Sequence, residues 1–186
     1  MSVPSVVRIS RPGGEGSGVF VAEDLVVTAG HVLQPPSGLF DPEDYKVLLA
    51  DGTALEVKVV LCHRGWSSGA HPSSDMGVLR VKGKRPALVA PCRIDPPAVQ
   101  LAVVVGGCNA QQYRGTVTRV ASSGALDMFT SSDLAFPGGV SGGPIVDAGG
   151  TVLGIATRSS PTPTPDLLIG LPLLAETFAW LRDRCS

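Results

Sequence analysis

The sequence has few charged residues, and their signs are balanced. Asp, Glu, Lys and Arg make up 17% of the 186 residues, and the formal net charge is −1. The densest basic stretch, Lys82, Lys84 and Arg85, is too short to follow a phosphate backbone. The composition therefore argues against an electrostatically driven partner and against nucleic-acid binding.

Long apolar runs are lacking as well. No segment approaches the roughly 20 consecutive apolar residues that span a bilayer, so we expect no membrane contact. Residues 1–8 contain no basic stretch followed by an apolar run, so they do not have the pattern of a secretory leader. Together these observations predict a soluble protein with a cytoplasmic location.

The cysteines are few and far apart. His63 and His71 have no third ligand at a suitable spacing, and no two cysteines form a CxxC pair, so we predict no metal and no cofactor. The cysteines lie beside apolar residues, which favours reduced, buried thiols, with disulfides as the alternative. The four are Cys62, Cys92, Cys108 and Cys185.

Short runs of β-branched residues between turn residues dominate what is present. The 23 glycines and 16 prolines are scattered without a period, as in a chain of short strands and turns. A barrel or sandwich of strands is the predicted architecture. Residues 94–98 divide the strands into two similar halves, 1–93 and 94–186. The predicted strands are residues 19–22, 25–28, 45–49, 55–59, 76–81, 101–105, 115–120, 143–146 and 151–155.

One helix is predicted, near the C-terminus. Pro172 suits its first turn, where the missing N–H costs nothing. An apolar stripe with helical spacing follows and predicts a helix that docks on the β-structure. The stripe consists of Leu174, Phe178, Leu181 and Cys185.

A glycine-rich segment around Ser141 carries the first chemical signal. From Gly138 to Pro144 it reads Gly-Gly-Val-Ser-Gly-Gly-Pro. A serine nucleophile needs a base to take its proton and backbone N–H donors for the oxyanion that its attack creates. Glycines on both sides allow the dihedral angles that such donors require. An ordinary glycine-rich turn is the alternative.

Two further residues fit this chemistry. His31 follows a predicted strand, and imidazole exchanges protons near neutral pH. Asp75 directly precedes an apolar run, where its carboxylate can accept the imidazole Nδ1–H and fix the tautomer. Taken singly, a structural histidine and a turn aspartate are the stronger interpretations, so the case depends on the combination.

The combination resembles the chymotrypsin-like (trypsin-like) serine peptidase family. Three segments occur in that family's order of His, Asp and Ser. They are Thr28-Ala29-Gly30-His31, Asp75-Met76-Gly77-Val78-Leu79 and Gly139-Val140-Ser141-Gly142-Gly143-Pro144. The resemblance runs from about Gly16 to the C-terminal helix. It implies an all-β fold of two antiparallel six-stranded β-barrels with a C-terminal α-helix and an active site between the barrels.

The same resemblance implies a role for each residue. His31 and Asp75, on the first barrel, would be the general acid/base and its orienting carboxylate, and Ser141, on the second, the nucleophile. The backbone N–H groups of Gly139 and Ser141 would form the oxyanion hole. The implied activity is that of a serine endopeptidase that forms an acyl-enzyme. A catalytically silent peptide-binding or interaction module with the same fold is the alternative.

Substrate contacts follow from positions relative to the serine motif. Ala135 is expected at the floor of the primary specificity pocket, with Phe136 beside it. Since alanine offers no carboxylate to Lys or Arg, we predict cleavage after a small or medium apolar residue. Thr157, Arg158 and Ser159 are expected to pair with a polypeptide substrate bound as an extended strand.

Two departures from the family pattern bear on regulation. Val140 stands where digestive and clotting members carry an aspartate that pairs with a newly cut N-terminus, so we expect no activation by N-terminal trimming. Val32 stands where those members have a cysteine beside the histidine. Both bring the sequence closer to bacterial intracellular or heat-shock-type members. They leave open a regulatory partner, or a fused sensor domain of which this chain is the effector.

Overall fold

The chain forms two closed antiparallel barrels of six strands each, followed by a helix. The computed structural model describes residues 4–35, 37–67, 70–122, 124, 126–158, 162–163 and 167–184. The predicted fold class is confirmed.

The first barrel has the strand order β1-β2-β3-β6-β5-β4 and is closed by the pairing of β1 with β4. Its hairpins form at the predicted turns, because Glu23-Asp24 and Asp51-Gly52 interrupt runs of β-branched residues. The strands are β1 (Val6–Arg11), β2 (Gly14–Ala22), β3 (Leu25–Thr28), β4 (Lys46–Leu48), β5 (Ala54–Cys62) and β6 (Gly77–Val81).

The second barrel repeats this arrangement in the order β10-β11-β12-β9-β8-β7 and is closed by the pairing of β10 with β7. Its strands are β7 (Leu101–Gly106), β8 (Gln112–Val120), β9 (Met128–Ser131), β10 (Pro144–Val146), β11 (Val152–Ala156) and β12 (Leu167–Pro172). The same strand order in both halves makes β9 the counterpart of β3 and β10 the counterpart of β4.

Two α-helices and three 3-10 turns complete the described elements. They are α1 (Gly30–Leu33), α2 (Ala175–Arg184) and the turns Pro42–Asp44, Pro72–Ser74 and Pro86–Leu88. No helix in the described ranges is long and apolar enough to cross a membrane.

The C-terminal helix begins later than the sequence predicted. Pro172 is the last residue of β12, where it pairs with Gly154, and α2 starts at Ala175. Proline is tolerated at the end of a strand as well as at the start of a helix. The presence of Pro172 therefore did not show whether a strand ended or a helix began there. Leu181 is fully buried, as the predicted stripe requires, whereas Cys185 lies outside the described residues.

The larger hydrophobic core joins the two barrels. It contains Val26 and Leu79 of the first barrel, Val146 and Ile155 of the second, and Leu181 of α2. Because the halves share buried surface, neither keeps its full core without the other. The strands of the first barrel end before residue 82 and those of the second begin at residue 101. The division between residues 93 and 94 stays a prediction.

Candidate active site

The pairing of β3 with β6 brings His31 and Asp75 together. Thr28, at the end of β3, pairs with Gly77, at the start of β6. His31 lies just beyond the end of β3, and Asp75 lies just before the start of β6. Asp75 Oδ1 accepts the backbone N–H of His31 at 2.8 Å, and Oδ2 lies 2.8 Å from the ring Nδ1. The Asp75 side chain is 5% exposed and that of His31 39%, so the carboxylate is buried while the imidazole reaches solvent.

The surroundings of this pair are rigid. The backbone N–H of Asp75 donates to Pro72 O at 3.1 Å, which closes a 3-10 turn immediately before the carboxylate. On the other side, the Trp66 ring lies 6.5 Å from the His31 ring, measured between centroids. A Cβ on Gly30 would come within 2.9 Å of Trp66, so glycine is what allows this ring to pack against α1.

A buried thiol lies beneath α1. Cys62 Sγ is 3.7 Å from Gly30 O, to which it donates. Burial, reinforced by the negative charge of Asp75, raises the pKa of the Cys62 thiol to about 12. The thiol is therefore neutral over the physiological pH range and adds no charge next to the His31–Asp75 pair.

The segment that carries Ser141 has a glycine with positive φ on each side of the Val140-Ser141 pair. Gly139 and Gly142 have φ values of +87° and +85°, a region that favours glycine. Between them, the Val140 side chain is fully buried in the core of the second barrel and anchors the segment. Within the described residues, none of the backbone N–H groups of residues 138–141 has a hydrogen-bond acceptor. The N–H groups of Gly139 and Ser141 are thus among the donors left without an internal acceptor.

The Ser141 segment packs against the end of β3. A Cβ on Gly142 would overlap Ser17 O and Thr28 Oγ1 and would lie 3.0 Å from Ala29 N. Gly142, the residue after Ser141, therefore packs against residues that come two and three positions before His31. Among the described hydrogen bonds, none joins Ser141 Oγ to His31. The structure brings two predicted catalytic residues into direct contact and the third into the adjoining segment.

Ser17 is a site residue that the sequence analysis missed. It is fully buried in β2, and its backbone N–H donates to Ser141 O at 2.8 Å. Its hydroxyl donates to Gly139 O at 2.7 Å and accepts the N–H of Cys108 at 2.9 Å. The two glycines that flank Ser17 inside a strand were an available signal, because such glycines mark close approach of another chain segment. A Cβ on Gly16 would lie 3.1 Å from Ser141 O.

The predicted pocket residues differ in accessibility. Phe136 is buried, and the centroid of its ring lies 6.1 Å from the centroid of the Tyr113 ring. The preceding residue, Ala135, is half-buried. Their roles as pocket residues stay predictions.

The strand predicted to hold substrate continues beyond β11. The backbone N–H groups of Thr157 and Arg158 both donate to Ile169 O, at 2.8 Å and 3.2 Å. Thr157 Oγ1 is buried without a partner in the described part of the chain, and Arg158 is exposed. Ser159 lies outside the described residues. The substrate contacts of all three stay predictions.

No group of three His, Cys, Asp or Glu side chains within the described ranges is placed to hold a metal ion. The cysteines of those ranges, Cys62, Cys92 and Cys108, are free.

Comparison with known proteins identifies relatives for most of the chain. A family model described as a trypsin-like peptidase domain matches residues 16–155. A probable periplasmic serine endoprotease, DegP-like, from Brucella suis is 35% identical over an alignment of 159 positions, which covers 79% of this chain and 28% of that protein. The chloroplastic Protease Do-like 1 of Arabidopsis thaliana is 30% identical and covers 93% of this chain and 39% of its own length. This chain thus spans well under half the length of these relatives.

Solved structures share the fold. The active form of the Rv3671c protease from M. tuberculosis superimposes with a TM-score of 0.70 at 24% identity, covering 98% of this chain and 81% of that one.

The predicted cytoplasmic location is wrong, because the DegP-like relatives are named periplasmic. The prediction rested on the composition of residues 1–8, which does not determine the compartment.

Proposed function

The chain belongs to the trypsin-like peptidase family, and from that premise we propose that it cleaves peptide bonds with Ser141 as nucleophile, His31 as general base and Asp75 as the orienting carboxylate. It is a serine peptidase domain. The contact of His31 Nδ1 with the buried Asp75 Oδ2 carries the residue assignment. A buried carboxylate paired with a solvent-reaching imidazole is the arrangement that a general base requires.

The position of the protons follows from this contact. A carboxylate only accepts hydrogen bonds, so Nδ1 of His31 is the protonated nitrogen and Nε2 keeps its lone pair. Nε2 takes the Ser141 hydroxyl proton as Oγ attacks the substrate carbonyl. The same proton then passes to the leaving amine, and water hydrolyses the acyl-enzyme by the reverse sequence of transfers.

The free N–H groups of residues 138–141 support an oxyanion hole at this turn. Donors without an internal acceptor, held by a buried side chain and by glycines with positive φ, stabilise negative charge without reorganising. We assign this role to the N–H groups of Gly139 and Ser141.

The substrate is a polypeptide bound as an extended strand along residues 157–159. Arg158 is exposed next to β11, and since the N–H groups of Thr157 and Arg158 donate to Ile169 O, substrate pairing at this edge would use their carbonyl groups. Ala135 supplies no carboxylate, so the residue before the cleaved bond is small or medium and apolar.

The setting of the domain is also a proposal. The relatives' names support the proposal that the domain acts in the periplasm. Their greater lengths support the proposal that it belongs to a longer protein in which further segments regulate the peptidase. A regulatory partner or fused sensor domain fits that setting.

Fluorophosphonate labelling tests the assignment. We expect one adduct, located on Ser141 by peptide mapping, and hydrolysis of peptides from a substrate library. Ser141→Ala should abolish labelling and lower kcat by about 10⁴- to 10⁶-fold. Ser10→Ala, on β1, is the matched control and should change neither.

Two outcomes would contradict the proposal in different ways. An adduct on another serine, or hydrolysis that survives Ser141→Ala, would remove Ser141 from the mechanism. Absence of both labelling and hydrolysis in the folded wild-type protein would favour the catalytically silent peptide-binding module.

A further inference from the structure

We propose that Ser17 is a positioning residue through which the first barrel holds the oxyanion segment, residues 138–141, in its reactive arrangement. The catalytic part of this inference rests on the proposed function. Its structural part, that the Ser17 hydroxyl orders the segment, stands on hydrogen bonds alone.

Ser17 binds the segment on both sides of Val140. Its hydroxyl donates to Gly139 O at 2.7 Å, and its backbone N–H donates to Ser141 O at 2.8 Å. These two carbonyls belong to the residues whose N–H groups are the proposed oxyanion donors. Each carbonyl belongs to the peptide unit that follows its residue's N–H, so Ser17 holds the chain directly beside each proposed donor.

Ser17 is itself firmly held. It is fully buried and pairs with Arg8 across the β1–β2 ladder. Its carbonyl accepts the Thr28 hydroxyl at 2.7 Å, which ties it to β3. Because Thr28 ends the strand that leads to His31, Ser17 links the side of the site that carries the base to the side that carries the nucleophile.

The segment has few other attachments. Its four N–H groups make no hydrogen bond within the described residues, so it is held by its carbonyls and by the Val140 side chain. Apart from Ser17, the described residues offer Gly139 O only the thiol of Cys108, at 3.8 Å. A thiol is a weak donor and does not replace a hydroxyl. Loss of the Ser17 hydroxyl would also leave the N–H of Cys108 without its acceptor.

Loosening this segment should affect turnover more than binding. The oxyanion donors act on charge that develops in the transition state, so a displaced donor lowers kcat while ground-state binding changes little. A displacement of about 1 Å can cost on the order of 100-fold in rate.

The test compares Ser17→Ala with Ser122→Ala. The Ser122 hydroxyl has the same pattern, because it donates to Leu126 O at 2.6 Å and accepts the N–H of Gly124 at 3.1 Å, but these bonds stay within the loop before β9 and do not reach residues 138–141. Both variants lose one internal serine hydroxyl. We expect Ser17→Ala to lower kcat about 10- to 100-fold with KM changed less than about threefold, and Ser122→Ala to stay within about twofold of wild type.

Amide hydrogen exchange supplies a readout without catalysis. The N–H of Gly142 donates to Ala156 O at 2.6 Å and reports the order of the adjoining segment. In Ser17→Ala its exchange should accelerate at least about tenfold, and in Ser122→Ala it should not. If Ser17→Ala does not fold, Ser17→Cys, which keeps a weaker donor of similar size, takes its place and should show a lower kcat and faster Gly142 exchange than wild type.

The outcomes separate the two proposals. If wild-type protein neither labels nor hydrolyses peptides, the proposed function fails, and the exchange rates alone decide the role of Ser17. If wild-type protein is active but Ser17→Ala keeps its kcat and its Gly142 exchange rate, the positioning role is overturned. Equal losses in Ser17→Ala and Ser122→Ala would also overturn it, since they would reflect general destabilisation.

Discussion

Asp75 binds His31 with both of its carboxylate oxygens. Oδ1 accepts the backbone N–H and Oδ2 faces Nδ1, each at 2.8 Å. The backbone contact fixes the start of α1 and the side-chain contact fixes the ring. One buried group therefore sets both the position and the tautomer of the proposed base.

Asp75→Asn should lower kcat by about 10⁴-fold. The amide oxygen can still accept the His31 backbone N–H, but the amide NH₂ then faces Nδ1 and forces the proton onto Nε2. Such an imidazole cannot accept the Ser141 proton. The measurement is kcat on a peptide substrate, with Asp147→Asn, in the β10–β11 turn, as the control that should remain active. Activity of Asp75→Asn within about tenfold of wild type would contradict this role for Asp75.

Gly142→Ala should destabilise the protein by about 3 kcal/mol or more. The new methyl group would overlap Ser17 O and Thr28 Oγ1, and the φ of +85° adds strain for any residue with a Cβ. Urea unfolding measures the loss. Gly138→Ala is the control, because no atom lies within 4 Å of its added Cβ and its φ is not positive. Equal stability of the two variants would argue against close contact between the barrels here.

His63 should make the fold less stable in acid. Burial, reinforced by the neighbouring Arg64 charge, lowers the pKa of the His63 imidazole, whose ring packs against Trp180 of α2. The unfolded chain then binds the His63 proton more readily than the folded chain does. Stability from the neutral ring is present above the unfolded pKa of about 6.5 and is lost as the pH falls below it.

Thermal unfolding of wild type and His63→Asn at pH 8 and pH 5.5 measures this contribution. The drop in Tm between the two pH values should be smaller in the variant, because the other titrating groups are common to both proteins. An equal or larger drop in Tm in His63→Asn would show that His63 titrates alike in the folded and the unfolded protein.

The Cys62 thiol should be almost unreactive in the native protein. A pKa of about 12 leaves on the order of a thousandfold less thiolate at pH 8 than an ordinary cysteine has. Maleimide labelling followed by mass spectrometry, with and without urea, compares the native and unfolded rates. Rapid native labelling of Cys62 would show that the region beneath α1 opens readily. A slow rate would let a free thiol persist in the oxidising compartment that the proposed periplasmic setting implies.

Local patterns predicted much of the fold. Runs of β-branched residues around Glu23-Asp24 and Asp51-Gly52 became hairpins, because turn and strand preferences agreed there. Three strands were not predicted. The four residues of β9 are too few to show alternation, β1 precedes the first turn signal, and the Pro172 that ends β12 suited a helix equally well.

The residues of the candidate site also fall into those that the sequence predicted and those that it did not. His31, Asp75 and Ser141 each have a recognisable sequence neighbourhood, and the structure brings the first two into contact. Ser17 has no such signal in its chemistry, because its hydrogen bond to Gly139 joins residues 122 positions apart. Contacts of that kind depend on how the barrels dock, which no local pattern specifies.

The separation of the proposed catalytic residues between the barrels has a consequence for biosynthesis. A ribosome completes the first barrel, with His31 and Asp75, before residue 141 has been made. On the proposed mechanism, a nascent chain therefore holds a base without a nucleophile and does not digest itself or its neighbours. Proteolytic capacity arises only when the later strands have closed around Val140 and met the first barrel.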